Sequence, residues 1–261
     1  MLRPTRAAAN GIWRMYEVSE NLIDTTWPTA TDANFASVTL LCHGDDQEAF
    51  AAGPSLSSQH WRNTATTANA AIPLAGGFSG PVISNVVTPK FGSACTKLGG
   101  NLGILCAAGA SFSYGTGDFT MEGWFYFTSV TGPICFDHRP VGTNGLYPTV
   151  YGSSGTLRYL VNSVDRITSA AAAIAINTWY HIALSRVSGN TRLYVAGAQV
   201  GSTYVDANSY ATQPPLAIGH NGFTGAGGGQ GYGQEFRVTN GVGRYSGATL
   251  TVPTTKFADQ L

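Results

Sequence analysis

The five glutamates, Glu17, Glu20, Glu48, Glu122 and Glu235, are the first residues to test for chemistry. Glycoside hydrolysis needs two carboxyl groups about 5–10 Å apart across the scissile bond. On a strand, alternate residues share a face, so a Glu-x-Asp-x-x-Glu type of run would supply such a pair. None of the five sits in that pattern, and Glu122 is followed by Gly123 and Trp124 with no carboxylate nearby in sequence. A serine triad finds no support either. The histidines are His43, His60, His138, His181 and His220, and no Gly-x-Ser-x-Gly turn accompanies them. Their spacing offers no metal pair. Cys42, Cys95, Cys106 and Cys135 form no Cys-x-x-Cys and read as buried thiols. Cys95 and Cys106 flank Gly99-Gly100-Asn101 and could face each other across a hairpin, although a reducing compartment opposes their oxidation. The residues therefore predict no catalytic site.

Binding chemistry is better represented. Asp45, Asp46 and Glu48 are the densest acidic group, and hard oxygen ligands suit calcium, so Asp45 and Asp46 are the metal candidates; otherwise no cofactor is expected. Glycan binding would use aromatic rings with amide and hydroxyl groups on loops. Tyr147, Asn221, Phe223, Tyr232 and Gln234 are the candidates for contact with a sugar or a neighbouring protein. Phe223 and Tyr232 sit in the glycine-dense stretch 222–233, which is expected to be a surface loop with its rings exposed. That stretch is no phosphate cradle, because a strand and not a helix follows it.

The elements that must position these groups are strands. The 261 residues include 33 glycines and 12 prolines, and apolar residues recur in short alternating runs. Phe119–Phe127 alternates throughout, with Phe119, Met121, Gly123, Phe125 and Phe127 on one face and Thr120, Glu122, Trp124 and Tyr126 on the other. About a dozen antiparallel strands are expected, and no βαβ alternation appears. Residues 12–23 have a helical period in which Ile12 and Tyr16 share a face; Trp27-Pro28 ends it. So short a helix must dock on something, which makes Ile12, Trp13, Tyr16 and Trp27 the assembly candidates. The organisation expected is an N-terminal arm, 1–35, and a β-sandwich, 36–261.

Lys+Arg and Asp+Glu each number 14, and charged residues are only 11% of the chain, against about 25% in an average soluble domain. Nucleic-acid binding needs a dense basic surface and is not expected. No apolar run reaches the roughly 18 residues of a membrane span. The N-terminal stretch has two arginines but no apolar core, so it does not read as a secretory signal, and synthesis in a cytoplasm is expected. So weakly charged a surface favours association.

Several motifs in order then resemble one family. Gly115–Trp124 (GTGDFTMEGW), Asn177–Arg186 (NTWYHIALSR), Pro215–Gly219 (PLAIG) and Phe236–Tyr245 (FRVTNGVGRY) are similar to strands of laminin-G-like, concanavalin A-like domains. The closing segment and Phe136-Asp137-His138-Arg139-Pro140 resemble the version carried by tailed-bacteriophage virion proteins, as does the pairing of Gly11-Ile12-Trp13 with Trp27-Pro28. The resemblance implies an all-β, antiparallel jelly-roll sandwich in a noncatalytic virion protein. It would act as a decoration or as a tail- or fibre-associated module that binds host-surface glycans. Other virion proteins and sister copies in a homo-oligomer are the implied partners, and a polysaccharide-active glycoside hydrolase is the alternative. In that fold Trp124, Trp179 and Tyr180 are expected between the sheets, Arg139 and Arg244 in structural pairings, and His181 packed or hydrogen-bonded. The family often carries Asp just before the closing strand, where this chain has Gly233-Gln234.

Overall fold

Alternation of apolar and polar residues produces two antiparallel sheets. The computed structural model describes residues 32–44, 82–100, 102–106, 108–225, 227–228 and 231–258. Among them are fourteen strands: β1 (Val38–Cys42), β2 (Val82–Ser84), β3 (Cys95–Leu98), β4 (Ile104–Cys106), β5 (Phe119–Phe127), β6 (Ile134–Asp137), β7 (Thr149–Ser153), β8 (Thr156–Val161), β9 (Val164–Thr168), β10 (Trp179–Val187), β11 (Asn190–Val195), β12 (Ala198–Val205), β13 (Leu216–Ile218) and β14 (Gly231–Asn240). The larger sheet runs β12-β11-β10-β5-β14-β3-β2, and β1 also pairs with β14. The smaller runs β4-β13-β6-β7-β8-β9. No helix among the described residues is long and apolar enough to cross a membrane.

The core lies between the sheets. Phe119, Met121, Phe125 and Phe127 of β5 enter it with Phe136, Leu157, Tyr159, Leu184, Leu193, Ile218 and Phe236. Phe125 meets Phe136 edge-on across the sandwich, at 5.4 Å between centroids. All four cysteines are buried and free, and burial pushes the Cys106 thiol up to about 12. The thiol reading therefore holds, and no Cys95–Cys106 bond forms.

Two features differ from expectation. Strands β9 and β12 were not legible, because they are short or mostly exposed edge strands with little apolar alternation. Strand β14 begins at Gly231, inside the stretch expected to be a loop, because glycine is what the neighbouring backbone admits there. A Cβ on Gly231 would strike the carbonyl oxygen of Tyr126. The arm candidates Ile12, Trp13, Tyr16 and Trp27 and the calcium candidates Asp45 and Asp46 lie outside the described residues.

The outer face of the larger sheet carries buried charge. Glu122 Oε1 accepts from Arg237 Nε at 2.9 Å and Nη2 at 2.7 Å. Its Oε2 accepts from His181 Nε2 at 3.1 Å and Tyr245 OH at 2.7 Å. Arg237 Nη1 and both terminal nitrogens of Arg244 converge on Asp32, at 2.7–2.9 Å. Beyond them Glu235 occupies a bulge at φ 54°, bonded to His43 Nδ1 at 2.8 Å and to the main-chain nitrogen of Phe257 at 2.7 Å. These bonds fasten the segment around Asp32 and the tail to Phe257 onto the sheet. Arg244 and His181 take the structural roles expected of them.

Burial alone would raise the Glu122 pKa, but Arg237, His181 and Tyr245 outweigh it and hold the carboxyl at about 2. A depressed carboxyl contributes stability above its unfolded value and loses it as pH falls through the folded one. Stability should therefore decline from about pH 4.5 toward pH 2, in step with this group. Glu122→Gln should remove about 3–5 kcal/mol in denaturant unfolding, because the buried Arg237 keeps only Asp32 of its two carboxylate partners, and should flatten the acid limb. An unchanged midpoint and acid limb would contradict the assignment.

Candidate functional site

Strand register sets a file of side chains across the outer face of the larger sheet. Trp179 of β10 lies opposite Tyr126 of β5, Tyr126 opposite Tyr232 of β14, and Tyr232 opposite Lys97 of β3. Directly opposed residues on antiparallel strands point to the same side, so the four form one row. Ring centroids are 5.5 Å apart for Trp179–Tyr126 and 6.1 Å for Tyr126–Tyr232, and the rings are tilted against each other. Trp179 and Tyr126 are half-buried and Lys97 is exposed. At the Lys97 end the row opens into a cavity of about 400 Å³ lined by Lys97, Gly99, Gly100, Leu102, Thr128 and Tyr232, among others. Aromatic edges, an ammonium, a hydroxyl and main-chain groups share that surface, a lining that can pack a sugar ring and bond its hydroxyls.

The adjacent row is closed. Trp124 carries Lys90 Nζ 4.1 Å from its ring centroid and Phe91 edge-on at 5.8 Å. Gln234 holds that covering segment down. Its Oε1 accepts from the main-chain nitrogens of Lys90 and Phe91, and its Nε2 donates to the carbonyls of Phe91 and Ala94. All its bonding capacity is spent on the fold.

A second cavity, of about 440 Å³, lies on the outer face of the smaller sheet. Leu105 and Ala217 line it with Pro140, Val141 and Pro215. Asp137 fastens its two rim loops together. The carboxylate is wholly buried and accepts from Arg139 N, Nε and Nη2, from Thr149 Oγ1 and from Gly222 N, all at 2.7–3.1 Å. Gly222 is required there, since a Cβ would lie 2.6 Å from the Arg139 carbonyl. Gly142 N donates to the Phe223 carbonyl at 2.8 Å, and the Arg139 guanidinium sits 5.3 Å from the Phe223 ring centroid. His138 donates from Nδ1 to the Pro215 carbonyl at 2.8 Å, and burial lowers its pKa to about 4, so it is neutral and structural.

The five contact candidates thus fall into two groups. Asn221 and Phe223 are on the rim of the second cavity, and Tyr147 joins the same bonds through Thr149, whose hydroxyl contacts both the Tyr147 carbonyl and Asp137. Tyr232 and Gln234 belong to β14 on the other sheet. Tyr232 was expected exposed in a loop; it is 8% exposed and lines the first cavity with one edge. Trp124 and Trp179 point outward from the larger sheet instead of lying between the sheets, whereas Tyr180 packs against the core. The outward direction of Trp124 and Tyr126 was available from the β5 alternation, because Glu122 shares their side. Among the described residues no group of three or more His, Cys, Asp or Glu could hold a metal ion.

Asp137→Asn should release the two loops without emptying the core. Faster amide hydrogen exchange at Gly222 and Arg139, with near-native exchange in β5 and β10, is the expected outcome. Unchanged protection at both amides would show that Asp137 does not fasten them.

Residues 99–242 match a family profile, Laminin_G_3, described as the concanavalin A-like lectin/glucanases superfamily. Among solved structures, domain 4 of AbnA, a GH43 extracellular arabinanase from Geobacillus stearothermophilus, in complex with arabinotriose, is 17% identical with a TM-score of 0.49, covering 79% of this chain and 93% of that one. Domains LG4-5 of the mouse laminin alpha1 chain are 16% identical with a TM-score of 0.43, covering 56% and 41%. A Trypanosoma rangeli sialidase is 14% identical with a TM-score of 0.42, covering 56% of this chain and only 25% of the sialidase. The chain thus spans less than half of the laminin chain and a quarter of the sialidase. No curated protein sequence matches. With more than half of its length under that profile and its two antiparallel sheets packed as a sandwich, the chain belongs to the concanavalin A-like lectin/glucanases superfamily.

Proposed function

We propose that this protein is a noncatalytic, lectin-like module of a bacteriophage virion that binds host-surface glycans along the row Trp179–Tyr126–Tyr232–Lys97. The observation that carries the glycan reading is the register that places three rings and an ammonium in one line, opening into a cavity of about 400 Å³. The virion setting is supported by the resemblance of Phe136–Pro140 and Phe236–Tyr245 to phage-type segments and by the sparse surface charge. A noncatalytic role is supported by Glu122 and Glu235, the two glutamates among the described residues. Both oxygens of Glu122 and both of Glu235 already accept bonds from the fold. A general acid needs a raised pKa and access to the leaving oxygen; Glu122 has neither, and the raised Glu235 is enclosed. A second reading, a decoration protein whose loops meet protein only, draws on Val141 and Leu146, two exposed apolar side chains on the loop between β6 and β7.

The test is a panel of oligosaccharides, neutral and acidic, titrated into the full chain with calcium and with EDTA. Trp179→Ala and Tyr126→Ala should each weaken binding about tenfold, equivalent to about 1.4 kcal/mol. Their unfolding midpoints should change little, because both rings are half-exposed. Loss of binding on Phe223→Ala with these two variants unaffected would move the site to the smaller sheet. No binding to any sugar would favour the decoration reading, and EDTA sensitivity would implicate Asp45 and Asp46. Release of new reducing ends from a polysaccharide would overturn the noncatalytic assignment.

A further inference from the structure

The described residues contain three Asn-Gly steps, Asn144-Gly145, Asn221-Gly222 and Asn240-Gly241. In such a step the main-chain nitrogen of glycine can attack the side-chain amide carbon of asparagine, because no Cβ obstructs the approach. The reaction needs a nitrogen free to move and an amide free to turn toward it.

The fold withholds both at two of the sites. Gly222 N donates to Asp137 Oδ2 at 3.0 Å, and Asn221 Oδ1 accepts from Thr224 N at 3.1 Å. Gly241 N donates to the Asp118 carbonyl at 2.9 Å, and Asn240 Nδ2 donates to the carbonyls of Ser111 and Ser113 at 3.3 and 3.1 Å. Cyclisation at either site would break bonds on both reacting groups. At the third site neither group is held. Asn144 is exposed; among the described residues its side chain makes no hydrogen bond and Gly145 N donates none, and the Gly145 carbonyl alone is engaged, by Tyr147 N and Asn162 N.

We propose that Asn144 is a site of spontaneous deamidation selected by the fold. The Gly145 nitrogen bonds to Asn144 Cγ, the Cγ–Nδ2 bond breaks, and the glycine N–H proton leaves with the amide group as ammonia. Water then opens the cyclic imide at either carbonyl, its hydroxyl going to carbon and its proton to nitrogen. The products are aspartate and isoaspartate, with no oxidant or reductant involved. Each event adds one negative charge to a chain of formal net charge zero. It does so on the loop that carries Arg139, Pro140 and Val141 into the smaller-sheet cavity.

The full chain, incubated in mildly alkaline buffer and sampled over time, is mapped by peptide mass spectrometry. Conversion at Asn144 should outrun that at Asn221 and Asn240 several-fold in the folded protein. In urea sufficient to unfold the chain, the three rates should converge. Equal rates in the folded protein, or a slower rate at Asn144, would overturn the proposal. So would a gap that persists in urea, which would place the selectivity in local sequence and not in the fold.

Discussion

One buried carboxylate, Glu122, organises the outer face of the larger sheet. A charge this far from water is tolerated only when it is paired and fully hydrogen-bonded. Four donors from Arg237, His181 and Tyr245 meet that demand. They come from β14, from β10 and from the segment after β14, so the carboxylate of β5 can be satisfied only when all three are in register. Arg237 then needs Asp32, and Asp32 in turn holds Arg244. The chain segments before β1 and after β14 are drawn onto the sheet by this succession of pairings.

The consequence for the surface can be followed along β5. Its outward residues are Thr120, Glu122, Trp124 and Tyr126. Thr120 bonds Ser185 and the segment carrying Val242 and Arg244. Glu122 lies in the ionic cluster. Trp124 is covered by Lys90 and Phe91, which Gln234 fastens. Tyr126 is left accessible, between Trp179 and Tyr232. The same sheet face thus passes from sealed polar, through a covered ring, to open rings beside a cavity. The smaller sheet builds its own cavity by a parallel device, in which one saturated carboxylate, Asp137, joins two loops.

Much of this was legible in the residues. The alternation of β5 separated core from outer face, and the motif from Phe236 to Tyr245 marked the segment whose arginines complete the ionic cluster. The structural roles of Arg139, Arg244 and His181 followed from the same segments. Besides the edge strands β9 and β12, three features were missed. Placing Trp124 and Trp179 between the sheets followed ring size, although alternation with Glu122 already put Trp124 outside. The start of β14 was hidden because Gly231, set against the Tyr126 backbone, and Gly233, set against the Phe236 and Leu98 side chains, look like loop glycines in sequence. The row itself depends on which residues of β3, β5, β10 and β14 lie opposite one another, and pairing between strands far apart in sequence has no local signature.

The central claim is that a glycan meets the open end of this face and not its covered part. Titrating the isotope-labelled chain with the tightest oligosaccharide of the panel, and following the indole N–H resonances by NMR, tests it directly. Trp179, whose Nε1–H donates to the Thr88 carbonyl at 2.9 Å, should shift in a saturable manner, while the buried Trp124 indole stays in place. A saturable shift of the Asn221 and Phe223 amides with Trp179 unmoved, or no shift with any oligosaccharide, would contradict the account.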